Sequence, residues 1–466
     1  MKHISYSKYM KNLTQGNETS VIIAFALPML IGNIFQQLYS TVDSLIVGNF
    51  VGKEALAAVG ISFPIIFLML GLLMGLTMGT NVLIAQFFGA NLLDKVKKSI
   101  INGFIIMVVL SLLITFLGLI FAKSILILLN TPSEILESAQ SYLKITFIGC
   151  FTIFGYNTVA SILRGLGDSK TPLYLLIVST IINIVLDLWF VLSFKWGVQG
   201  VAWATVIAQG VSFIAGLIYI FRKLTWLRFG FTELRIEPDI FSKTLQIGIP
   251  TGIQQSLVAL GMMVMTRIVN GFGTVPIAAF TVASRLDGFA SMPALNLSQA
   301  MTSFTGQNMG AGKTERVHRG YRASLTIGTG ISIIVGMIVL IFSKQLMGFF
   351  TPDAEVARVG AQYLIVVGAT YTLFSTMFIN NGVLRGAGDS FIPMINTLLA
   401  LWVVRIPCAL LFSRTLHLGI TGVWLSVPAG WLMGAIYSTI YYRSGRWKRK
   451  ALVQTENQQK IITEEA

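Results

Sequence analysis

Twelve apolar stretches dominate the chain, and short polar segments separate them. Each contains about 20 mostly apolar residues, which is enough to cross a bilayer as a helix. Because lipid offers no hydrogen-bond partners to the backbone, exposed spans of this kind are helices. The pattern therefore predicts an all-α membrane protein with 12 transmembrane helices. Their predicted centres lie near Ile31, Leu68, Val109, Ile148, Ile182, Ala208, Leu257, Met292, Val335, Val367, Leu401 and Met433.

Composition supports a membrane protein. Apolar residues make up 54% of the 466 residues and charged residues only 11%, whereas a soluble chain carries about 25% charged residues. The first twenty residues are polar, so no cleavable secretory signal is evident. The two cysteines, Cys150 and Cys408, lie inside apolar stretches, which favours core packing over a disulfide or metal site. Prolines inside the stretches are expected to break or kink the helices at Pro28, Pro64, Pro250 and Pro293.

The distribution of positive charge predicts the orientation. Most of the 34 lysines and arginines lie in the termini and in every second loop. Loops rich in Lys and Arg stay in the cytoplasm, so both termini are predicted to be cytoplasmic. Orientation also explains the net charge of +15 better than nucleic-acid binding does, and we expect no nucleic-acid partner.

A duplication organises the chain. Leu163–Ser169 reads LRGLGDS and Leu384–Ser390 reads LRGAGDS, a step of 221 residues. The same step relates Asn49 to Asn270, Gly52 to Gly273, Gln86 to Gln307, Gly89 to Gly310, Val96 to Val317 and Tyr142 to Tyr363. Six helices per repeat is an even number, so both copies have the same topology. We therefore predict two six-helix lobes related by pseudo-two-fold symmetry about the membrane normal.

This duplication divides the chain into five predicted regions. A cytoplasmic segment (1–19) precedes the first lobe (20–221), and a cytoplasmic linker (222–241) precedes the second lobe (242–442). The charged cytoplasmic tail (443–466) is expected to be disordered. The repeated LRGxGDS segments are predicted to be structural turns, in which Gly165 and Gly167 permit the turn and Asp168 caps the helix that begins near Pro172.

Signals for an enzyme are missing. The three histidines lie in tails or loops, and no zinc-protease, nucleotide-binding or serine-hydrolase motif stands in a suitable context. We therefore expect no enzymatic activity, no catalytic residue, no resident metal and no cofactor.

Charged residues inside membrane spans are costly and usually functional. Asp43 and Asp187 fall at a similar predicted depth in the outer half of the membrane, together with Asn183, Thr205 and Tyr142. The alternative is that the two carboxylates lie near the lipid headgroups and are merely solvated. Because separate helices bring polar groups to one level, we favour a functional site.

The second repeat does not copy this site. At a step of 221 residues, Cys408 stands opposite Asp187 and Val404 opposite Asn183. The second repeat instead carries four charged residues within its spans, which are Arg267, Arg285, Asp287 and Arg405. Asp287 and Arg405 are both predicted near the midplane, where they could form a buried pair of structural or functional importance.

The chain resembles the multidrug and toxin extrusion (MATE) family over about residues 20–442. The resemblance rests on the duplicated RGxGDxxxP turns, on VDSLIVGNFVG at Val42–Gly52, on GQNMGAGK at Gly306–Lys313 and on NIVLD at Asn183–Asp187. It implies two lobes around a central cavity and export of cationic, lipophilic compounds in exchange for protons or sodium. The implied ion-coupling residues are Asp43, Asp187, Asn183 and Thr205, with a possible sodium at Asp43 and Asp187.

Further residues are expected to line the substrate cavity. Gln36, Tyr142 and Asn157 match the family's polar positions, and the charged residues Arg267, Asp287 and Arg405 are candidates from the second repeat. Some branches of the family carry an acidic residue in the tenth helix. The corresponding stretch, Tyr363–Asn380, has none.

The sequence thus predicts a secondary active antiporter that works by alternating access, as a multi-pass monomer in the plasma (inner) membrane. The coupling ion is expected to be a proton or sodium, and the partners to be small cationic molecules and the lipid bilayer. A flippase for lipid-linked precursors, from the same superfamily, is the alternative, because such a protein would use arginines such as Arg267, Arg285 and Arg405. A membrane-embedded enzyme or assembly scaffold is a third possibility.

Overall fold

The structure is a computed structural model that describes residues 12–228, 230 and 233–453, and it is helical through nearly all of them. Each predicted centre lies in a helical span, and we number these spans α1 to α12. They are α1 (Glu18–Val51), α2 (Lys53–Gly89), α3 (Leu93–Leu128), α4 (Ser133–Ile148 and Cys150–Gly165), α5 (Lys170–Ser193), α6 (Gly197–Lys223), α7 (Pro238–Asn270), α8 (Thr274–Gly310), α9 (Thr314–Gly348), α10 (Ala354–Gly368 and Tyr371–Ala387), α11 (Phe391–Thr415) and α12 (Gly419–Arg443).

The predicted all-α class with 12 helices is confirmed. Among the described residues, 9 spans are long and apolar enough to cross a membrane, and the two bent spans α4 and α10 bring the number to 11. The twelfth is α8, which has 37 residues. Its sequence carries Arg285, Asp287 and many Ser, Thr, Asn and Gln side chains, which lower its hydropathy.

The largest breaks are not at the predicted prolines. Pro28, Pro64, Pro250 and Pro293 all lie inside continuous helices. The two bent spans turn instead by 49° at Gly149 in α4 and by 52° around Thr370 in α10. These bends fall at equivalent places in the two repeats, so the duplication preserved them without a proline.

The helices form two compact units. The first comprises Pro28–Ile84 and Leu92–Gly248, and the second comprises Leu13–Leu27, Ala85–Asn91 and the chain from Ile249 onward. The start of α1 and the end of α2 therefore belong to the second unit, although most of the first repeat forms the first unit. The domain limits drawn from the sequence stay a prediction.

Both repeated turns have the predicted construction. Gly167 and Gly388 adopt left-handed φ values of 85° and 102°, which favour glycine. The Asp168 carboxylate accepts hydrogen bonds of 3.0 Å from the backbone N–H groups of Lys170 and Thr171, and so caps α5. Asp389 does the same for α11. Tyrosines of the last helix of each repeat complete the caps, with Tyr219 donating to Asp168 and Tyr441 to Asp389.

Duplicated glycines allow two helix ends to cross within the second unit. A Cβ atom on Gly89 would collide with the carbonyl oxygen of Gln307, and one on Gly310 with the carbonyl oxygen of Gln86. The contact is reciprocal because each repeat supplies one glycine and one glutamine at the same spacing. The matching letters in the sequence therefore record a backbone crossing.

Side chains of the second unit hold both ends of the described chain. Arg316 donates to the carbonyl oxygens of Gln15 and Gly16 at 2.9 and 2.7 Å, and pairs with Glu18 at 3.1 Å. Near the other end, Arg446–Lys450 forms a short 3₁₀ helix with Trp447 fully buried. The predicted disorder of the tail is thus wrong for residues 443–453, because Trp447 anchors them. Residues 454–466 lie outside the described residues.

Candidate functional site

Two membrane-buried carboxyl groups meet in the first unit. Asp43 lies on α1 and Asp187 on α5, and their carboxyl groups are close enough to interact electrostatically. Asp187 is completely buried, and Asp43 is half-buried. The alternative that both carboxylates are merely solvated near headgroups does not fit Asp187, which has no exposed surface.

The acid pair lacks internal compensation. Oδ1 of Asp43 and both carboxyl oxygens of Asp187 are buried without a hydrogen-bond partner. Among residues 12–228, 230 and 233–453, no lysine, arginine or histidine forms an ion pair with either carboxylate. Two buried carboxylates at close range resist being ionised together, so the site favours a bound proton or metal cation.

Polar side chains from neighbouring helices surround the pair. The Asn183 amide on α5 lies beside Asp187 and makes a long contact of 3.5 Å with the Thr205 hydroxyl on α6. Tyr39 and Thr205 share a hydrogen bond of 2.8 Å. Tyr142 is buried next to both carboxylates. The atoms with which these groups could ligate a metal ion are all oxygens, the ligand type that hard cations prefer.

Each acid lies just before an irregular turn of its helix. A π-helical turn follows each of them within a few residues, Val47–Val51 after Asp43 and Trp189–Ser193 after Asp187. Such turns occur often at functional sites. An apolar cluster borders the pair and limits access of water. Its buried members include Ile46, Val47, Tyr142, Val191, Val198 and Val206.

The structure brings together Asp43, Asp187, Asn183, Thr205 and Tyr142, and it leaves two predicted residues apart from them. Gln36 is exposed on α1, two turns before Asp43. The Asn157 amide donates to the carbonyl of Ile153, one turn earlier in α4. Sequence reasoning missed Tyr39, whose spacing of four residues from Asp43 places both on one helix face.

In the second unit, two tyrosines hold Asp287. Tyr371 donates to Oδ1 at 3.0 Å and Tyr363 to Oδ2 at 3.2 Å. Arg405 lies within electrostatic range of Asp287, but the described residues include no direct ion pair between them. The described residues thus show proximity of the two charges without a direct ion pair, and the tyrosine hydroxyls supply the hydrogen bonds of the carboxylate. Tyr363 could have been found from its duplication of Tyr142. Arg267 lies apart and is exposed on α7.

The repeat step changes within α11, which corrects two sequence equivalences. α5 has 24 residues and α11 has 25. A π-helical stretch, Leu398–Arg405, accommodates the extra residue, whereas Lys170–Leu188 of α5 is α-helical. By the end of this stretch, at Arg405, the step is therefore 222. Ala409, not Cys408, stands opposite Asp187, and Arg405, not Val404, stands opposite Asn183.

Burial confirms the new register. At a step of 222, buried Asp187 matches buried Ala409, and buried Val191 matches buried Ser413. At a step of 221, the same two residues would match the half-buried Cys408 and Phe412.

Twelve helical spans in two copies, with an uncompensated acid pair buried in one of them, define a secondary membrane transporter. The sequence model of the MatE family matches residues 28–189 and again 250–411. The chain therefore belongs to the MATE family of multidrug efflux transporters, which is a family of transporters and not of enzymes. The two matched ranges also repeat the duplication.

Relatives and solved structures agree with this assignment. The chain is 32% identical to the probable multidrug resistance protein YpnP of Bacillus subtilis, over 95% of this chain and 98% of that protein. It is similar to a MATE family transporter solved in an outward-facing conformation, with a TM-score of 0.89 at 26% identity over 95% of this chain and 98% of that one. A transporter from Pyrococcus furiosus, described as having a binding pocket of reverse polarity, has a TM-score of 0.90 at 25% identity, covering 97% of this chain and 100% of that one.

Proposed function

We propose that this protein is an antiporter that exports cationic, lipophilic compounds in exchange for protons or sodium ions bound at Asp43 and Asp187. The observation that carries the proposal is the buried carboxyl pair with three oxygens lacking any partner. The probable multidrug resistance proteins among its relatives support export of drugs. In this proposal the protein works as a monomer of the plasma membrane, with both termini in the cytoplasm.

The acid pair can couple ion entry to drug release through its charge. With both carboxylates ionised and no cation nearby, the pair repels itself in a medium of low dielectric. A single proton shared between Asp43 and Asp187, or one sodium ion bridging them, removes much of that repulsion. Asn183 and Thr205 are placed to add amide and hydroxyl oxygens around a metal ion, and Tyr39 orients Thr205.

The proposed exchange follows from competition for this negative charge. An organic cation is attracted to the first unit while the pair is ionised. A proton or sodium ion that reaches the pair from outside cancels the attraction and so favours release of the compound. Alternating access then needs the pair to face each side of the membrane in turn.

The coupling role can be tested with isosteric amides. Asp43→Asn and Asp187→Asn keep the shape of the side chains but remove titration and most of the affinity for a cation. We expect each to abolish gradient-driven uptake of a fluorescent organic cation into inverted vesicles, normalised to the amount of transporter. Asp94→Asn is the matched control, because Asp94 is an exposed carboxylate at the start of α3. Full transport by both amide variants would refute the role of the pair.

The coupling ion can be identified in the same vesicles. A pH gradient without sodium and a sodium gradient at uniform pH are imposed separately. If protons couple transport, only the first drives uptake, and if sodium does, only the second. Uptake that follows neither gradient would contradict ion-coupled antiport.

A flippase for lipid-linked precursors remains the second candidate. Arg267 on α7 and Arg285 on α8 are both exposed within membrane-spanning helices of the second unit, and diphosphates are bound well by arginine. The similarity to the Pyrococcus furiosus transporter with its reversed pocket polarity also bears on this candidate. Vesicles that translocate a polyprenyl diphosphate, but not an organic cation, would favour it.

A further inference from the structure

Each unit buries charged side chains, and the charge is compensated differently in the two units. The buried site of the first unit has two carboxylates, and no cationic side chain of the described residues pairs with them. The buried site of the second unit has one carboxylate, Asp287, and one guanidinium, Arg405, within electrostatic range of it. The register of the duplication shows how closely the second arrangement corresponds to the first.

Both coupling carboxylates have apolar equivalents in the second unit. On α1 and α7, a step of 222 matches buried Ile46 with Ile268 and buried Val47 with Val269. Asp43 then corresponds to Met265, which is 1% exposed. On α5 and α11, Asp187 corresponds to Ala409, which is 0% exposed. The second unit has therefore lost both acids of the ion site.

The charged residues of the second unit stand at positions equivalent to residues around the acid pair of the first unit. Arg405 stands where the first unit has Asn183, the amide beside the acid pair. Tyr363 stands where the first unit has Tyr142. Asp287 corresponds, at the step of 221, to Ile66, which packs on the apolar cluster containing Tyr142. The carboxylate in the second unit thus enters from α8 and receives the hydroxyl of Tyr363.

We infer that Arg405 is a built-in cation that closes the second unit's copy of the ion site, and that its removal would open a site for a monovalent cation at Asp287. The positive charge that the first unit must take from solution is supplied in the second unit by a side chain. One carboxylate and one guanidinium are neutral together, so the second unit has no need of a mobile ion.

The Arg405 side chain also has an unused donor. Its Nε atom is buried without a hydrogen-bond partner. Because the described residues include no ion pair between Arg405 and Asp287, the guanidinium also does not form the two parallel bonds that make an arginine–carboxylate pair strong. Arg405 therefore compensates Asp287 by proximity, while Tyr363 and Tyr371 satisfy the carboxylate oxygens. A small residue at position 405 would leave Asp287 with two hydroxyl neighbours and no positive charge, which is a donor set that suits sodium or a proton.

For transport, the inference rests on the proposed function, since it limits mobile coupling ions to the first unit. The test of the inference does not depend on the proposed function. The full-length protein carrying Asp43→Asn and Asp187→Asn serves as the background, so that the first site cannot respond. Arg405→Asn restores at position 405 the residue type of the first unit. Arg405→Lys keeps the charge, and Arg405→Asn combined with Asp287→Asn removes the carboxylate.

The measurement is the Tm of each purified variant in detergent, at several sodium concentrations with choline as the replacement ion, and at several pH values without sodium. We expect the Tm of the Arg405→Asn variant to rise with sodium, or with falling pH, by at least about 2 °C more than that of the background. The sodium series identifies a metal site and the pH series a proton site. Arg405→Lys and the double variant should respond as the background does.

Three results would overturn the inference. They are an Arg405→Asn variant that responds no more than the background, a response that survives Asp287→Asn, and a response in Arg405→Lys equal to that in Arg405→Asn. If Arg405→Asn alone does not fold, the uncompensated carboxylate must be the cause, and adding Asp287→Asn must restore a folded protein. Failure of that double variant to fold would equally contradict the inference.

Discussion

The reciprocal crossing of α2 and α8 gives a sharp stability prediction. Gly310→Ala would place a Cβ atom against the carbonyl oxygen of Gln86, closer than real Cβ contacts occur. That oxygen belongs to the backbone of a helix, so no side-chain rotation relieves the overlap and the two helix ends must separate. Forced separation of packed elements costs about 1–3 kcal/mol. Since replacing glycine by alanine in a helix gains at most about 1 kcal/mol, the net change is destabilising by up to about 2 kcal/mol.

The equivalent substitution Gly89→Ala should cost a similar amount, because its Cβ would meet the carbonyl oxygen of Gln307. Gly330→Ala is the matched control, since nothing lies within 4 Å of a Cβ at that position of α9. Thermal unfolding in detergent, followed by tryptophan fluorescence, should show a Tm lowered by up to about 2 °C in the first two variants and unchanged or raised in the third. A Gly310→Ala protein as stable as Gly330→Ala would refute the crossing.

Two further predictions concern the chain ends and the orientation. Arg316→Met should lower the free energy of unfolding by about 2–3 kcal/mol, because it leaves the carbonyl groups near Glu18 without their charged donor. Arg319→Met should lower the free energy of unfolding by under about 1 kcal/mol, because the Arg319 side chain is 61% exposed. If the two variants lose equal stability when unfolded in detergent, Arg316 does not hold the chain end in the way described. In a cysteine-free background, Ser193→Cys should react with an impermeant thiol reagent outside intact cells and Leu234→Cys should not, and the reverse pattern would invert the topology.

The fold could be predicted from the sequence because the sequence patterns that indicate it are strong and occur in both repeats. Twelve apolar stretches each carry a helix, and the duplicated glycine and aspartate of the turns define the left-handed residue and the helix cap. Proline was a weaker guide. Pro28 and Pro250 lie inside continuous helices, because neighbouring helices in a membrane protein can satisfy the carbonyl groups that proline leaves without donors.

Parts of the site could be predicted from the sequence for a different reason. Depth counting along separate helices placed Asp43, Asp187 and Asn183 at one level, and the structure brings them together. Depth does not specify the direction of a side chain around its helix. Asn157, which was expected in the cavity from the family resemblance and not from its depth, donates within α4. Tyr39 was missed because a tyrosine in an apolar helix is ordinarily read as packing, despite its spacing from Asp43.

The equivalence of positions in α5 and α11 depends on one extra residue in α11, whose place the sequence does not show. One residue inserted into an α-helix turns everything beyond it by about 100°, since a helix has 3.6 residues per turn. The π-helical stretch of α11 absorbs that residue, so the positions beyond it keep the facing that their counterparts have in α5. If the extra residue were not absorbed and α11 stayed α-helical throughout, Val404 would face the site, and Asp287 would be left without a neighbouring positive charge. The π-helical stretch therefore keeps Arg405 at the position where the first unit has the Asn183 amide, so the two sites differ in residue type while the facing of their helices is preserved.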